Sequence, residues 1–320
     1  MNKELMIMMK YLVGSNNIFA TLLGLGDTKL DDDVIATAMG VAGIVQGILL
    51  MLTPSLSRKM WGIKDNSIWT LAHLEYVGAS ILSMGLTNFC LFVMKMEETH
   101  KIVGWVGIVW AVENALALLK RYPSLEGGDP TLQVLWLFLM LECIRACFVS
   151  AAYTQMLLVA AYGLVALNSI MAVVKPRLCA NMYGYEKVDL NNDQLNMARG
   201  FGYEGLAMSV SFLSLLNNVE KHKALGLTSM VITAHCVHAL IGKNFQSTFG
   251  NFGALLFYLW MIAHASCAAN LLASKEVGYF MGGVIGVVST LKLSPFLFVE
   301  YSENIKMEYS MIRKSIRESM

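Results

Sequence analysis

Several charged or histidine side chains of this sequence lie within long apolar segments, where their presence needs a reason. An ionised side chain at the centre of a bilayer costs about 2.5–3.5 kcal/mol on insertion scales. Those that remain in such segments commonly pair with one another or line a path for ions or protons. Carboxylates and imidazoles together can pass protons or coordinate a cation. The residues concerned are His73, Glu75, Glu113, Glu142, Arg145, Glu204, His235, His238 and His264.

A first group of these residues comes from two consecutive apolar segments. Glu75 lies about eight residues inside the second segment and Glu113 about six residues from the end of the third, so both are roughly 10 Å deep. At that common depth the two side chains can touch, and two apposed carboxylates can share a proton. We therefore expect a first polar cluster that consists of His73, Glu75, Glu113 and Asn114.

A second group lies at the same level further along the chain. Glu204 enters about five residues into the sixth segment, and His235 lies about seven residues from the same face, with His238 shallower. A carboxylate beside imidazoles can transfer protons or bind a cation. We therefore expect a second polar cluster formed by Glu204, His235 and His238.

Three further residues, Glu142, Arg145 and His264, are predicted to lie deep in the membrane. Glu142 and Arg145 are spaced i,i+3, which puts both on one helix face and favours an ion pair. A haem or metal held by His235, His238 and His264 is not expected, because His264 lies roughly 10 Å deeper than His235. A small metal site at Glu204, His235 and His238 is the alternative, but histidines on a membrane helix are more often hydrogen-bonded to their neighbours.

The composition is that of a membrane protein. Apolar residues make up 56% and charged residues 15% of the 320 residues, and the mean hydropathy is +0.55; soluble proteins carry about 25% charged residues. A net charge of +1 without a basic stripe gives no reason to expect nucleic acid as a partner. The six cysteines form no CxxC pair, so neither a zinc site nor a disulfide framework is predicted.

The apolar segments predict an all-α, polytopic integral membrane protein. A membrane-spanning helix needs about 20 mainly apolar residues. Small residues at every fourth position favour close helix packing, and they occur at Gly43 and Gly47 and again at Gly278, Gly282 and Gly286. The predicted spans are 34–53, 67–94, 102–119, 131–150, 156–175, 199–218, 224–242, 250–272 and 278–298.

An internal repeat organises these spans. The phrases that begin at Glu98 and Glu220 share the spacing of His-Lys and Gly, 122 residues apart (220 − 98), and Pro54 matches Pro176 at the same offset. Each copy holds four spans, an even number, so the two halves should be parallel. We therefore predict two tandem four-helix repeats plus a ninth helix. The boundaries are 1–33 for an N-terminal segment, 34–155 and 156–277 for the repeats, 278–298 for the ninth helix and 299–320 for an amphipathic tail.

The distribution of charge predicts the orientation. Lysine and arginine concentrate in the loops 54–66, 120–130, 176–198 and 243–249 and in the C-terminal tail, whereas the other side holds Asp31, Asp32 and Asp33. By the positive-inside rule, the C-terminus faces the cytosol, stroma or matrix. The sequence does not determine the organelle.

Three functions fit these features. The first is a non-enzymatic accessory or scaffold subunit of a larger membrane complex, with membrane lipids and other membrane subunits as partners and with a lipid or pigment as possible ligand. The second is a transporter or proton-coupled carrier that uses the Glu/His clusters. The third is a membrane enzyme of the sterol-isomerase type. The sequence contains no phosphate-binding glycine loop, no GxSxG and no HExxH, so soluble-type catalysis is not predicted.

Overall fold

The computed structural model describes residues 21–25, 31–121, 130–185, 189–242, 248–249 and 251–291, and these are almost entirely helical, with no strand among them. The predicted amphipathic tail and most of the N-terminal segment lie outside the described residues. Single π-helical turns at Phe89–Val93 and Ala117–Arg121 extend the third and fourth helices. The helices are α1 (Asp32–Leu52), α2 (Pro54–Met60), α3 (Ile68–Asn88), α4 (Thr99–Leu116), α5 (Thr131–Phe148), α6 (Thr154–Val174), α7 (Pro176–Met182), α8 (Asn192–Leu216), α9 (Lys221–Ile241), α10 (Asn251–Leu271) and α11 (275–291).

Local residues set where these helices begin. Asp31 caps α1 by accepting hydrogen bonds from the backbone N–H groups of Asp33 and Val34 at 2.8 and 3.2 Å. Asn191 and Gln194 form a capping box at the start of α8. Pro54 and Pro176 begin the short helices α2 and α7, because the fixed φ of proline suits the first helical turn and its missing N–H is not needed there.

Among the described residues, seven helices are long and apolar enough to cross a membrane, namely α1, α3, α4, α5, α6, α9 and α10. This supports the prediction of an all-helical, polytopic integral membrane protein. Helix α8, predicted as a span, is not one of the seven, since its sequence includes Asp193, Arg199 and Glu204. Large apolar side chains on the outer faces of the seven, such as Leu52 and Leu167, are exposed, as expected for contact with lipid.

Helices α3 and α8 lie at the centre of the bundle and pack against each other. In the first half α3 packs against α1 and α4, and α4 against α5. In the second half α8 packs against α6 and α9, and α9 against α10. The same order of neighbours therefore occurs in both halves.

Small residues allow the closest of these approaches. A β-carbon added at Gly47 of α1 would lie 2.5 Å from the backbone nitrogen of Leu82 in α3. Gly205 of α8 faces Ser169 of α6 in the same way, with 2.5 Å between an added β-carbon and the Ser169 hydroxyl oxygen. Gly47 therefore cannot carry a larger side chain without moving a helix, whereas at Gly205 the Ser169 hydroxyl would have to rotate away.

The predicted glycine faces differ in what covers them. Gly43 packs against the backbone of Gly85 in α3. In α11, Gly278 faces the carbonyl oxygen of Leu23, whereas a β-carbon at Gly286 would meet nothing within 4 Å and Gly282 is half-buried. The face predicted for α11 is thus partly covered within the chain.

Candidate functional site

A buried carboxylate and a buried imidazole form the centre of the site. Glu204 on α8 and His235 on α9 lie 3.0 Å apart, measured from Glu204 Oε1 to His235 Nδ1. Their side chains are only 7% and 9% exposed. The structure therefore brings together two members of the second predicted cluster, because α8 and α9 are sequence neighbours that pack side by side.

Aromatic rings hold the His235 imidazole in place. The ring of Tyr203 stacks on it at 4.9 Å with an interplanar angle of 8°, and Phe257 contacts it edge-on at 5.4 Å. The Tyr203 hydroxyl lies 2.9 Å from Nδ1 of His238. Tyr203 therefore links His238, the third predicted member, to the pair. Tyr203 directly precedes Glu204 but is not among the site residues predicted from the sequence.

The pair lines a large cavity between α1, α3, α8, α9 and α10, which we name the histidine cavity after His235 and His264. Its volume is about 970 Å³, and its walls are largely apolar, with Leu50, Ile81 and Phe257 among them. His264 of α10, predicted to be deep, is buried here, with Nδ1 3.4 Å from the Ser229 hydroxyl oxygen.

A buried carboxylate oxygen of a residue in the wall has no hydrogen-bond partner among the described residues. Glu204 Oε2 is buried and accepts no hydrogen bond there, whereas Oε1 is engaged by His235. An unsatisfied buried carboxylate oxygen is unfavourable by several kcal/mol in apolar surroundings. A hydrogen-bond donor on a bound molecule would remove that cost.

A chain of polar side chains leads from the start of α8 to the edge of the histidine cavity. Arg199 Nη1 donates to Asn196 Oδ1 at 2.6 Å, and Asn196 Nδ2 donates to the Thr248 hydroxyl oxygen at 2.8 Å. The Thr248 hydroxyl donates to Asp193 at 2.8 Å. Asn196 is fully buried and lines the cavity. None of these residues was predicted as a site residue, because none belongs to a recognisable motif in the sequence.

The members of the first predicted cluster differ in their burial and in their hydrogen-bond partners. Glu113 is 1% exposed, whereas Glu75 is half-buried. His73 Nδ1 lies 2.8 Å from the carbonyl oxygen of Trp69, and Asn114 Nδ2 donates to the carbonyl oxygen of Trp110 at 2.6 Å. A carboxylate pair between Glu75 and Glu113 stays a prediction.

His73 and Asn114 line a second cavity, between α3, α4, α5, α6 and α8, with a volume of about 960 Å³. We name it the aromatic cavity because its walls contain many aromatic rings. They are Trp69, Tyr76, Trp110, Trp136, Tyr162, Tyr183, Tyr185 and Phe201.

Glu142 and Arg145 form the ion pair that their spacing predicts, but they do not lie deep among the helices. The guanidinium binds both carboxylate oxygens at 2.6 Å, and the Tyr153 hydroxyl donates to Glu142 at 2.9 Å. The side chains are 39% and 53% exposed, and Arg145 is one turn from the end of α5. This face of α5 points away from the bundle, unlike that of His264, and the depth of Glu142 and Arg145 in a membrane stays a prediction.

Within the described ranges, no group of three or more His, Cys, Asp or Glu side chains is arranged to hold a metal ion. All six cysteines are free thiols, and five of them are buried. The polar chemistry next to the histidine cavity therefore comes from the acid–base pair and its hydroxyl and amide neighbours. The chain matches no protein-family model, no curated protein and no solved structure.

Proposed function

We propose that this protein is a non-enzymatic membrane protein that holds a lipophilic molecule, a lipid or a pigment, in the histidine cavity. The observation that carries the proposal is Glu204, which lines a largely apolar cavity and whose Oε2 is buried without a donor from the described residues. The ligand would be mostly apolar and would carry one hydroxyl or N–H group that donates to this oxygen. Because His235 orients Glu204 through Oε1, the acceptor is preorganised for that donor.

The distribution of the polar groups favours binding of a ligand over catalysis on a substrate. A sterol-isomerase type of reaction needs a proton donor and a proton acceptor on opposite sides of the substrate. Glu204 and His235 are instead hydrogen-bonded to each other. His264, further along the wall, is directed to Ser229. These contacts support a binding site whose ligand-binding polar group is the Glu204–His235 pair.

Two tandem parallel repeats remain our proposal for the architecture. Helices α6 and α7 begin 122 residues after α1 and α2 (154 − 32 and 176 − 54), and α9 begins 122 residues after α4 (221 − 99). Residues with a positive φ, a conformation that is rare outside glycine, also recur at this spacing. Three pairs are spaced 122 or 123 residues apart, namely Gly62 and Gly184, Lys95 and Asn218, and Ser150 and Ala273. Helix α11 would then begin an incomplete third copy and cross the membrane as the ninth helix.

Other membrane subunits are proposed as partners, in line with a role as an accessory or scaffold subunit. The support is a set of small residues on outer helix faces: β-carbons added at Gly163, Gly283 and Gly286 would meet nothing within 4 Å. Such faces let a neighbouring helix approach closely. With nine spans, the positive-inside rule favours a C-terminus on the cytosolic, stromal or matrix side.

A proton-coupled carrier is the second candidate function, and one observation favours it. The Asp193–Thr248–Asn196 chain connects the start of α8 to the cavity in which Glu204 and His235 lie. A chain of hydroxyl, amide and carboxylate groups of this kind is suited to conduct protons when water joins it. A carrier would use the buried pair to couple proton uptake to movement of its substrate.

Purification from native membranes in a mild detergent tests the binding proposal. Mass spectrometry and an absorption spectrum of the co-eluting molecules should reveal a lipophilic compound with a hydroxyl or N–H group, near one per chain. We expect Glu204→Leu to lose it and Glu97→Leu, at an exposed loop position, to keep it. A folded wild-type protein without any stoichiometric small molecule would contradict the proposal.

Reconstitution into liposomes tests the carrier alternative. A carrier should acidify or alkalinise vesicles that contain a pH-sensitive dye when a membrane potential is applied, and Glu204→Gln should abolish this flux. A ligand-holding protein should show no flux above that of empty liposomes. Variants at Glu204 therefore distinguish the two functions, because one predicts loss of a bound ligand and the other predicts loss of proton flux.

A further inference from the structure

The aromatic cavity is the structural counterpart of the histidine cavity. Each cavity lies between the central helices α3 and α8 and is completed by helices of both halves. Residues 122 apart in sequence line one cavity each, so the two share a common plan. The pairs are Gln46 and Asn168, Trp61 and Tyr183, and Ile232 and Trp110.

The chemistry of the two cavities nevertheless differs at matching positions. His235 and Cys236 of α9 correspond to Glu113 and Asn114 of α4 at the same offset. In the aromatic cavity Asn114 lines the wall and accepts a hydrogen bond from Gln133. At this level the aromatic cavity therefore has the amide of Asn114 where the histidine cavity has the thiol of Cys236, and Gln133 adds a second amide.

Buried amides and rings set what such a cavity can bind. Asn114, Gln133 and Asn168 are 2%, 3% and 8% exposed, and all three line the cavity. An amide NH₂ carries two donors, so it can serve a ligand carbonyl while bound elsewhere. The rings of Tyr76 and Trp110 are nearly parallel, at 18° with 6.2 Å between centroids. Flat aromatic walls suit a flat ring system.

We propose that the aromatic cavity is a second ligand site, which binds a neutral, flat, ring-bearing lipophile with carbonyl oxygens, the chemistry of a quinone. The rings of Tyr76 and Trp110 contact the ligand ring, and the amides of Gln133 and Asn168 donate to its carbonyl oxygens. A quinone has no hydrogen-bond donor, so this site does not depend on Glu204. Its success or failure is therefore separate from that of the histidine cavity.

Quenching of tryptophan fluorescence by 2-bromoanthraquinone tests the proposal on the full chain in lipid nanodiscs. Trp69, Trp110 and Trp136 line the aromatic cavity, whereas Trp61 and Trp260 line the histidine cavity. We expect saturable quenching that persists after Trp61→Phe and Trp260→Phe are combined. Quenching by probe dissolved in the lipid is not saturable. It is measured at high probe concentration, where the site is already full, and is then subtracted.

Two variants and a matched control assign the site. Ala72→Phe fills the cavity and Gln133→Leu keeps the volume but removes the amide, and each should weaken binding by about tenfold or more, equivalent to about 1.4 kcal/mol. Ile68→Phe adds the same ring on an exposed position of α3 and should leave binding unchanged. Thermal unfolding verifies that each variant is folded; if Ala72→Phe is not, Gln133→Leu alone decides.

Three results would overturn the assignment. The first is the absence of saturable quenching in the wild-type protein. The second is equal binding by Gln133→Leu, Ile68→Phe and the wild type. The third is loss of the saturable quenching when Trp61 and Trp260 are replaced, since the probe would then occupy the histidine cavity.

Discussion

Glu204 and His235 should be energetically coupled, and a double-mutant cycle measures that coupling. The two side chains are 3.0 Å apart and more than nine-tenths buried. Replacing either by Leu leaves the other buried without this partner, which costs about 1–3 kcal/mol, or more if it is charged. When both are Leu, no polar group of the pair remains, and Leu suits the apolar wall. The loss in the double variant should therefore be smaller than the sum of the single losses by about 1 kcal/mol or more.

The assay is unfolding by SDS in mixed micelles, followed by far-UV circular dichroism, for the wild type, Glu204→Leu, His235→Leu and the double variant. The same cycle on Glu98 and Lys101, which pair at 2.7 Å on the exposed surface, is the matched control. Surface pairs are screened by water and salt, so its coupling should be much smaller. Single losses at Glu204 and His235 that add within about 0.5 kcal/mol would refute the reasoning, because uncoupled groups behave in that way.

Three other predictions follow from the helix contacts. Gly47→Ala should lower the SDS midpoint, because overpacking costs about 1–3 kcal/mol, whereas Gly163→Ala, whose β-carbon meets nothing within 4 Å, should not lower it; equal midpoints would contradict the close approach of α1 and α3. Tyr203→Phe keeps the ring on His235 and removes the hydroxyl contact to His238, so it should cost about 0.5–1.5 kcal/mol in the same titration, and no loss would contradict that contact. Arg145→Gln should change the midpoint less than Glu204→Leu does, because the Arg145 side chain is 53% exposed; an equal or larger change would contradict this reasoning.

Helix positions were largely predictable, because hydropathy is a property of the local sequence. The first eight predicted spans fall on helices of the structure, including α8, and the ninth falls on α11 as far as residue 291. The short helices α2 and α7 lie in segments that were predicted as loops. Glu204 and His235, predicted from the rise per residue to share one level, lie 3.0 Å apart. Adjacent helices that pack side by side then bring such residues into contact.

Which way a side chain points was less predictable. Glu142 faces outward from α5, whereas His264, at the matching position of α10, faces the histidine cavity. Sequence position determines how far along a helix a residue lies, but the rotation of that helix depends on its neighbours. The close packing of α1 on α3, governed by Gly47 and Leu82, is one contact that sets such a rotation.

The sequence by itself determined that the described chain is helical, and it located most of the helices that are long and apolar enough to cross a membrane, since these features depend on local hydropathy and capping. Only the tertiary structure decided that α3 and α8 form the centre of the bundle and that Tyr203 stacks on His235. It also decided that the histidine cavity and the aromatic cavity are both lined by α3 and α8. The physical reason is that cavities are what remains after side chains from several helices have packed. Their volume and lining depend on helix rotations that residues far apart in sequence set together.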